Sequence, residues 1–97
     1  MIDIRKLNIR LNKSMLKLLI EMFIKNGVTS KTQTIYYSKP LFYTAVNYLK
    51  KNKLVKDENV DGKKIYSLTL NGEVFVRMIL AFNEIPKPLN DYGIVFI

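Results

Sequence analysis

Lysines crowd the middle of the chain, where their ammonium groups could bind a polyanion. Five of them surround one predicted helix, at positions Lys39, Lys50, Lys51, Lys53 and Lys56. Residues 1–56 hold 12 basic residues against 2 acidic ones, whereas residues 57–97 hold 4 against 6. Several charges on one side of a helix could meet the phosphates of a duplex together. The alternative is a basic surface that only keeps the protein in solution.

The sequence contains few of the residue types that usually perform catalysis. The 97 residues include neither Cys nor His, which removes disulfides, thiolate nucleophiles, imidazole bases and the usual zinc ligands. The eight carboxylates are scattered and form no acid–base pair or metal motif. We therefore expect a protein that is not an enzyme, with no catalytic residue, no metal and no cofactor.

Length and hydropathy predict one intracellular domain. A hydrophobic fraction of 48% supplies one modest core. The longest unbroken apolar run, residues 78–82, is far shorter than the roughly 20 residues that cross a bilayer, and the charged residues 1–10 show no signal peptide. We expect a single cytoplasmic domain over residues 1–97 with no membrane partner. Its core would span 14–83, between an N-terminal arm (1–13) and a C-terminal tail (84–97).

The first predicted helix is apolar around most of its circumference. It begins after an N-cap at Ser14 and ends at about Asn26, with Gly27 as the left-handed residue that follows. Its narrow polar stripe contains two possible ion pairs, Lys17 with Glu21 and Glu21 with Lys25. Such a helix must be covered from more than one side.

The last predicted helix is similarly apolar. Thr69 is its expected N-cap, it covers about residues 70–83, and Pro86 and Pro88 end it. The apolar excess of the two helices predicts a homodimer, formed through these helices or through the apolar tail Tyr92–Ile97. A tight monomer is the alternative.

The middle helix follows Ser38 as N-cap, with Pro40 in its first turn. Its apolar positions recur at helical spacing and are expected to face the core: Phe42, Ala45, Val46 and Leu49. The remaining positions point elsewhere: Tyr43, Thr44, Asn47, Lys50 and Lys51. This helix therefore has one buried side and one polar side.

A β-hairpin is expected next. Its first strand covers residues 55–58, the turn covers 59–62 with Asp-Gly at its end, and the return strand covers 63–68. In the return strand, Tyr66 and Leu68 would share one face. Two other segments are less regular: Thr29–Tyr37 is expected to form a short helix, despite strand propensity in its second half, and residues 3–12 a short strand or extended arm.

Residues 14–82 resemble the winged helix-turn-helix regulators, most of all the small ones of archaea and their viruses. The resemblance is carried by the middle helix with its Leu54-Val55-Lys56 end, by Asp61–Thr69, and by Gly72. Lys53 stands where family members commonly have Gly. The resemblance implies an α+β fold, mostly α, with a two-stranded wing and a C-terminal helix. For a viral chain, the compartment would be the host cytoplasm.

The resemblance also implies a binding site for DNA. The middle helix would enter the major groove and the wing would approach the neighbouring backbone. The implied contacts are Lys39, Tyr43, Thr44 and Asn47 in the groove, Lys50 and Lys51 on phosphates, and Lys63 and Lys64 on the wing. Asn47 can pair with adenine, and Thr44 can bond a base edge or touch a thymine methyl. Acidic residues beside the wing oppose a strong wing contact, and each lysine could instead be a solvated surface residue.

The leading hypothesis is a homodimeric, sequence-specific double-stranded DNA-binding protein that regulates transcription. The alternative is a winged-helix module that docks on a protein of a transcription or replication assembly without reading DNA. The acidic wing and the apolar tail motivate that alternative. A small-molecule effector is left open by the sequence.

Overall fold

Three helices and a β-hairpin account for most of the structure. A computed structural model describes residues 10–82 and 95–96, with side chains from residue 11 to residue 81. In chain order the elements are β1 (Arg10–Leu11), α1 (Lys13–Lys25), α2 (Lys39–Lys51), β2 (Val55–Val60), β3 (Lys63–Leu68), α3 (Leu70–Phe82) and β4 (Val95–Phe96). The predicted α+β class, mostly α, is confirmed. The winged form of that fold stays a prediction.

Helix α1 ends at about Asn26 as predicted, but its N-cap and its left-handed residue differ from the predicted ones. The N-cap is Asn12, not Ser14, because the Asn12 side-chain oxygen accepts a hydrogen bond from the Met15 amide at 2.8 Å. The left-handed residue that closes the helix is Asn26 (φ 58°), one position before Gly27. Gly27 also has a positive φ, of 124°, and a Cβ there would lie 2.9 Å from a methyl of Ile65. Asn tolerates the left-handed region nearly as well as Gly, so the turn begins earlier.

Two elements cover α1, as its apolar circumference predicted. The helix packs against both β3 and α3. Leu18, Leu19 and Met22 are buried, and further apolar side chains pack partly buried against the core: Met15, Leu16, Ile20 and Phe23. Most of the apolar surface of α1 is therefore covered within one chain.

The buried side of α2 is the predicted one, since Phe42, Ala45, Val46 and Leu49 are all removed from solvent. Ser38 occupies the N-cap position without a side-chain hydrogen bond. At the other end, Lys53 takes the left-handed conformation, with φ 63°. The Leu54 amide then donates to the Leu49 carbonyl at 3.0 Å, which closes the helix. A lysine thus adopts the backbone conformation that Gly adopts most easily.

The hairpin has a tighter turn than predicted. Strands β2 and β3 pair antiparallel from Val55 opposite Leu68 to Val60 opposite Lys63, so β2 continues through residues 59 and 60. Only Asp61 (φ 50°) and Gly62 (φ 77°) form the turn. Positive φ at both positions is typical of a type I′ turn, which suits the twist of two antiparallel strands.

Helix α3 is held against the connection between α2 and β2. The Thr69 hydroxyl accepts from the Gly72 amide at 3.1 Å and donates to the Lys53 carbonyl at 2.6 Å, which confirms Thr69 as the N-cap. A Cβ at Gly72 would lie 2.1 Å from the Leu54 carbonyl oxygen. Only Gly allows this approach. The helix ends at Phe82, and Pro86 and Pro88 lie outside the described residues.

A short parallel pairing joins the two ends of the described chain. Arg10 pairs with Val95 and Leu11 with Phe96. The strand expected within residues 3–12 is therefore confirmed at its last part. Residues 3–9, and the remainder of the tail, lie outside the described residues. Each described helix has 13 residues, and none combines the length and the apolar character of a bilayer-spanning segment.

The prediction of a short helix over Thr29–Tyr37 is wrong. Residues 29–32 form a turn instead, in which the Thr29 hydroxyl accepts from the amides of Lys31 and Thr32 at 3.2 and 3.1 Å. Thr and Ser side chains compete with helical backbone bonds in this way. Before the turn, Val28 exchanges two 2.8 Å backbone hydrogen bonds with Tyr66, on the edge of β3. The segment is thus a loop that connects α1 to α2 and is held against β3 at Val28.

Candidate nucleic-acid interface

The outer side of α2 is open to solvent in the part of the chain that the structure describes. Four of the proposed contacts on this side are exposed, namely Lys39, Thr44, Asn47 and Lys51, and Tyr43 is 40% exposed. They lie opposite the buried edge of the helix. The Thr44 hydroxyl donates to the Pro40 carbonyl at 2.9 Å, which leaves its oxygen and methyl available to a ligand. The helix therefore presents polar side chains to solvent while its apolar edge packs in the core.

The loop before α2 is anchored by one carboxylate, that of Glu21 on α1. Glu21 is only 9% exposed and accepts hydrogen bonds from the Thr34 amide at 3.0 Å and the Thr34 hydroxyl at 2.5 Å. Lys25 pairs with Glu21 at 3.1 Å and also donates to the Thr32 carbonyl at 3.1 Å. Burial by itself raises the pKa of Glu21, but the bonds from Thr34 and Lys25 outweigh it and lower this pKa below 4.5.

A second side chain, Gln33, shapes the same loop. Its carbonyl oxygen accepts from the Ile35 and Tyr36 amides at 2.9 and 2.8 Å, and its amide donates to the Tyr36 carbonyl at 2.5 Å. The buried Gln33 side chain thereby provides hydrogen-bond partners for the backbone groups of Ile35 and Tyr36, which helical backbone bonds would otherwise satisfy. Tyr37 follows at 97% exposure, immediately before the N-cap of α2.

An ion-pair cluster around Asp57, midway along β2, engages two of the proposed DNA contacts. The Lys50 ammonium lies 2.9 Å from the Asp57 carboxylate, and the Lys64 ammonium lies 3.6 Å from the same oxygen. The hydrogen bond from Lys50 holds the pKa of Asp57 below its ordinary value against the opposing effect of desolvation, and Lys64 adds to the lowering. Part of the positive charge on this side of the molecule is therefore neutralised within the chain.

A cleft opens between the 29–32 turn, α2 and β3. Its volume is about 420 Å³, and it is lined by Thr29, Ser30, Lys31, Thr32, Tyr43, Lys63, Lys64 and Tyr66. Lys31 and Lys63 make no ion pair with the described residues, since the ion pairs there engage other lysines. Three lysines, several hydroxyls and two aromatic rings thus converge on one concave surface.

The aromatic part of this cleft is a packed cluster. The Tyr43 ring lies 5.4 Å from Phe42 and 6.5 Å from Tyr66, both edge to face, and Phe42 and Tyr66 are 5.4 Å apart. Burial raises the pKa of the Tyr66 phenol. Because Phe42 is fully buried, the cluster joins the floor of the cleft to the core.

The eight residues proposed from the sequence form three groups. Five are exposed on α2, namely Lys39, Tyr43, Thr44, Asn47 and Lys51. Lys50, also on α2, meets Lys64 at Asp57, and Lys63 lines the cleft. Lys56, which the sequence placed near the same helix, instead lines a separate cleft with Arg77 of α3. The predicted ion pair of Glu21 with Lys25 is confirmed, but sequence reasoning missed the bonds of Glu21 to Thr34. It also missed Lys31 and Tyr66 as residues of the cleft, and only the strand alternation that places Tyr66 inward carried a signal for either.

Comparison with known proteins leaves the family open. No protein-family model matches the chain, and no curated protein and no solved structure matches it. The case for a function therefore rests on the geometry of these residues.

Proposed function

We propose that the protein is a winged-helix protein that binds double-stranded DNA in a sequence-specific manner and regulates transcription, with the 29–37 loop in place of the first helix of a helix-turn-helix. In this proposal α2 is the recognition helix and the β2–β3 hairpin is the wing. The order α2, hairpin, α3 supports it, as does the isolated bridge that pairs Val28 with Tyr66 on the edge of the hairpin. The left-handed Lys53 supports it as well, because that turn directs the chain from α2 into β2.

Base recognition is assigned to the centre of the outer side of α2. Asn47 would make a bidentate contact with adenine, since its amide offers a donor and an acceptor side by side. Thr44 would present its methyl to thymine, because its hydroxyl proton is already donated to the Pro40 carbonyl. Tyr43 would flank these contacts at the edge of the cleft.

Phosphate contacts are assigned first to Lys39 and Lys51, which are exposed at the two ends of α2. Lys50 and Lys64 would contribute less, because each already shares the Asp57 carboxylate. Lys63, beside the hairpin turn, is the remaining wing contact. The wing would thus help to position the protein on the duplex, and the helix would supply most of the affinity.

A two-fold dimer completes the proposal. Two recognition helices would meet successive major grooves about 34 Å apart and would select a palindromic site. The apolar side chains that stay exposed on α1 and α3, Ile24, Leu70 and Leu80, are the proposed contacts. Light scattering coupled to gel filtration tests this part, and a monomeric mass with and without duplex would reject it.

The observation that carries the proposal is the exposed polar side of α2 opposite a fully buried apolar edge. The test is a gel shift of the protein on DNA from upstream of its own gene, with scrambled duplex as competitor. We expect retention that resists the competitor and that Asn47→Ala abolishes, while Lys17→Ala, an exposed lysine on α1, leaves it unchanged. Equal competition by scrambled DNA would reject sequence-specific binding.

A further inference from the structure

We propose that the cleft between the 29–32 turn, α2 and β3 binds one nucleotide unit, with its phosphate on the lysines and its base against Tyr43. The cleft shares Tyr43, Lys63 and Lys64 with the proposed duplex surface, but it does not depend on that function. A nucleotide could occupy it whether or not α2 enters a groove.

The charge of the cleft fits a phosphate. Lys31 approaches from the turn and Lys63 and Lys64 approach from β3. Within the described residues, the only acid paired with any of these three is Asp57, 3.6 Å from Lys64 and already bonded to Lys50 at 2.9 Å. The site is therefore left with a positive surplus, and an anion with several oxygens could satisfy it through charge-assisted hydrogen bonds.

The hydroxyls of the turn add a neutral donor. Thr32 Oγ1 accepts from the Thr29 amide at 2.8 Å and from the Thr29 hydroxyl at 3.3 Å. Its own proton has no acceptor among the described residues and can be donated to a ligand oxygen. The Thr29 hydroxyl, by contrast, is fully used within the turn.

The aromatic residues give the cleft a place for a base. Tyr43 is partly exposed, and its ring is supported by Phe42 and Tyr66. A supported ring loses little freedom when a base stacks on it, and stacking tolerates any base because each has a π face. A volume of about 420 Å³ lies within the range of small-ligand sites.

The walls of the cleft are held in place before any ligand arrives. Glu21 and Lys25 fix the turn from α1 through Thr34 and Thr32. The bridge between Val28 and Tyr66 fixes the turn against β3. Preorganised walls reduce the entropy lost on binding.

A phosphorylated base can come from two sources: a free nucleotide or a nucleotide within a single strand. The test is an amide chemical-shift titration of the whole protein with adenosine 5′-monophosphate. Adenosine, inorganic phosphate and a short single-stranded oligodeoxyadenylate serve as comparison probes. We expect shifts at residues 29–32, 43 and 63–66, and weaker binding of adenosine and of phosphate alone. Tighter binding of the oligonucleotide than of the monophosphate assigns the site to a strand, and the reverse assigns it to a free nucleotide.

Two variants separate the cleft from the proposed duplex surface. Lys31→Ala should weaken binding of the monophosphate about fivefold and leave duplex binding unchanged. Lys51→Ala, which removes another exposed lysine, on α2, should leave monophosphate binding unchanged and weaken duplex binding. Tyr43→Leu should weaken the monophosphate about tenfold through loss of stacking. The amide spectrum of each free variant shows whether it is folded.

Three results would overturn the proposal. One is the absence of shifts around the cleft with both the monophosphate and the oligonucleotide. Another is phosphate binding as tight as that of the monophosphate, which would remove the role of the base. The third is an equal loss of monophosphate affinity in Lys31→Ala and in Lys51→Ala. That result would show that the monophosphate is held by general charge attraction and not by a defined site. None of these results bears on duplex binding.

Discussion

Glu21 and Asp57 are two carboxylates paired with lysines, each with a lowered pKa, in two regions of opposite character. Glu21 is buried beneath the 29–37 loop and bonds to backbone as well as to Lys25. Asp57 lies midway along β2 with its side chain 24% exposed, and within the described residues that side chain bonds only to Lys50 and Lys64.

Glu21 therefore fixes the conformation of a loop, whereas Asp57 neutralises lysines on the surface. A buried carboxylate with several donors stabilises the one loop conformation that satisfies it. An exposed ion pair contributes little to stability, because water competes for both partners. Changes at Glu21 should therefore act on folding, and changes at Asp57 should act on binding to anions.

The largest expected effect is that of Glu21→Gln. The amide keeps the shape of the side chain but loses the charge that strengthens the bonds from Thr34 and Lys25. We expect the free energy of unfolding in urea to fall by about 2 kcal/mol. Glu73→Gln, which removes an exposed pair with Arg77, is the control and should cost less than about 0.5 kcal/mol. Equal costs would remove the distinction between the two kinds of carboxylate.

Lowering the pH should destabilise the protein through protonation of Glu21, as the Glu21→Gln substitution does. Its pKa in the folded protein lies below the ordinary value of 4.5, so its contribution to stability is complete above about pH 4.5 and is lost as pH falls through the folded pKa. Thermal unfolding between neutral and acidic pH should show a shallower acid loss in Glu21→Gln than in the original protein. Parallel curves would contradict the assignment.

A moderate effect is expected from Asp57→Asn, which releases Lys50 and Lys64. Under the proposed function, duplex affinity at low salt should rise about threefold to tenfold and the salt slope should steepen by about one to two. Stability should change less than in Glu21→Gln, because the Asp57 side chain is 24% exposed and bonds only to lysine side chains within the described residues. Asp61→Asn, at the hairpin turn, adds the same charge without releasing a lysine. An equal gain from both variants would show that only net charge matters.

The smallest expected effect concerns Lys53. Its left-handed backbone is strained for a residue with a Cβ, so Lys53→Gly should stabilise the protein by about 0.5–1 kcal/mol. Lys51→Gly removes the same charge within the helix and should destabilise by a similar amount. Urea unfolding of the pair measures both. Destabilisation by both would contradict the role assigned to the turn.

The sequence predicted the elements that local signals define. Helical spacing identified the buried side of α2, Asp61-Gly62 identified the hairpin, and Thr69 identified the start of α3. It failed over Thr29–Tyr37, because the bonds of Glu21 to Thr34 join residues 13 apart and leave no local pattern. The same reason hid the cleft and the pairing of Lys50 with Asp57, which depend on how the hairpin folds back beside α2.

The central claim, that the outer side of α2 binds duplex DNA, is tested most directly by the salt dependence of duplex affinity in Lys51→Ala. Fluorescence anisotropy over a range of salt concentrations gives the slope of log affinity against log salt. We predict that Lys51→Ala lowers this slope by about 0.9, the contribution of one phosphate contact, while Lys17→Ala on α1 leaves it unchanged. An unchanged slope in Lys51→Ala, or the same reduction in both variants, would contradict the proposal.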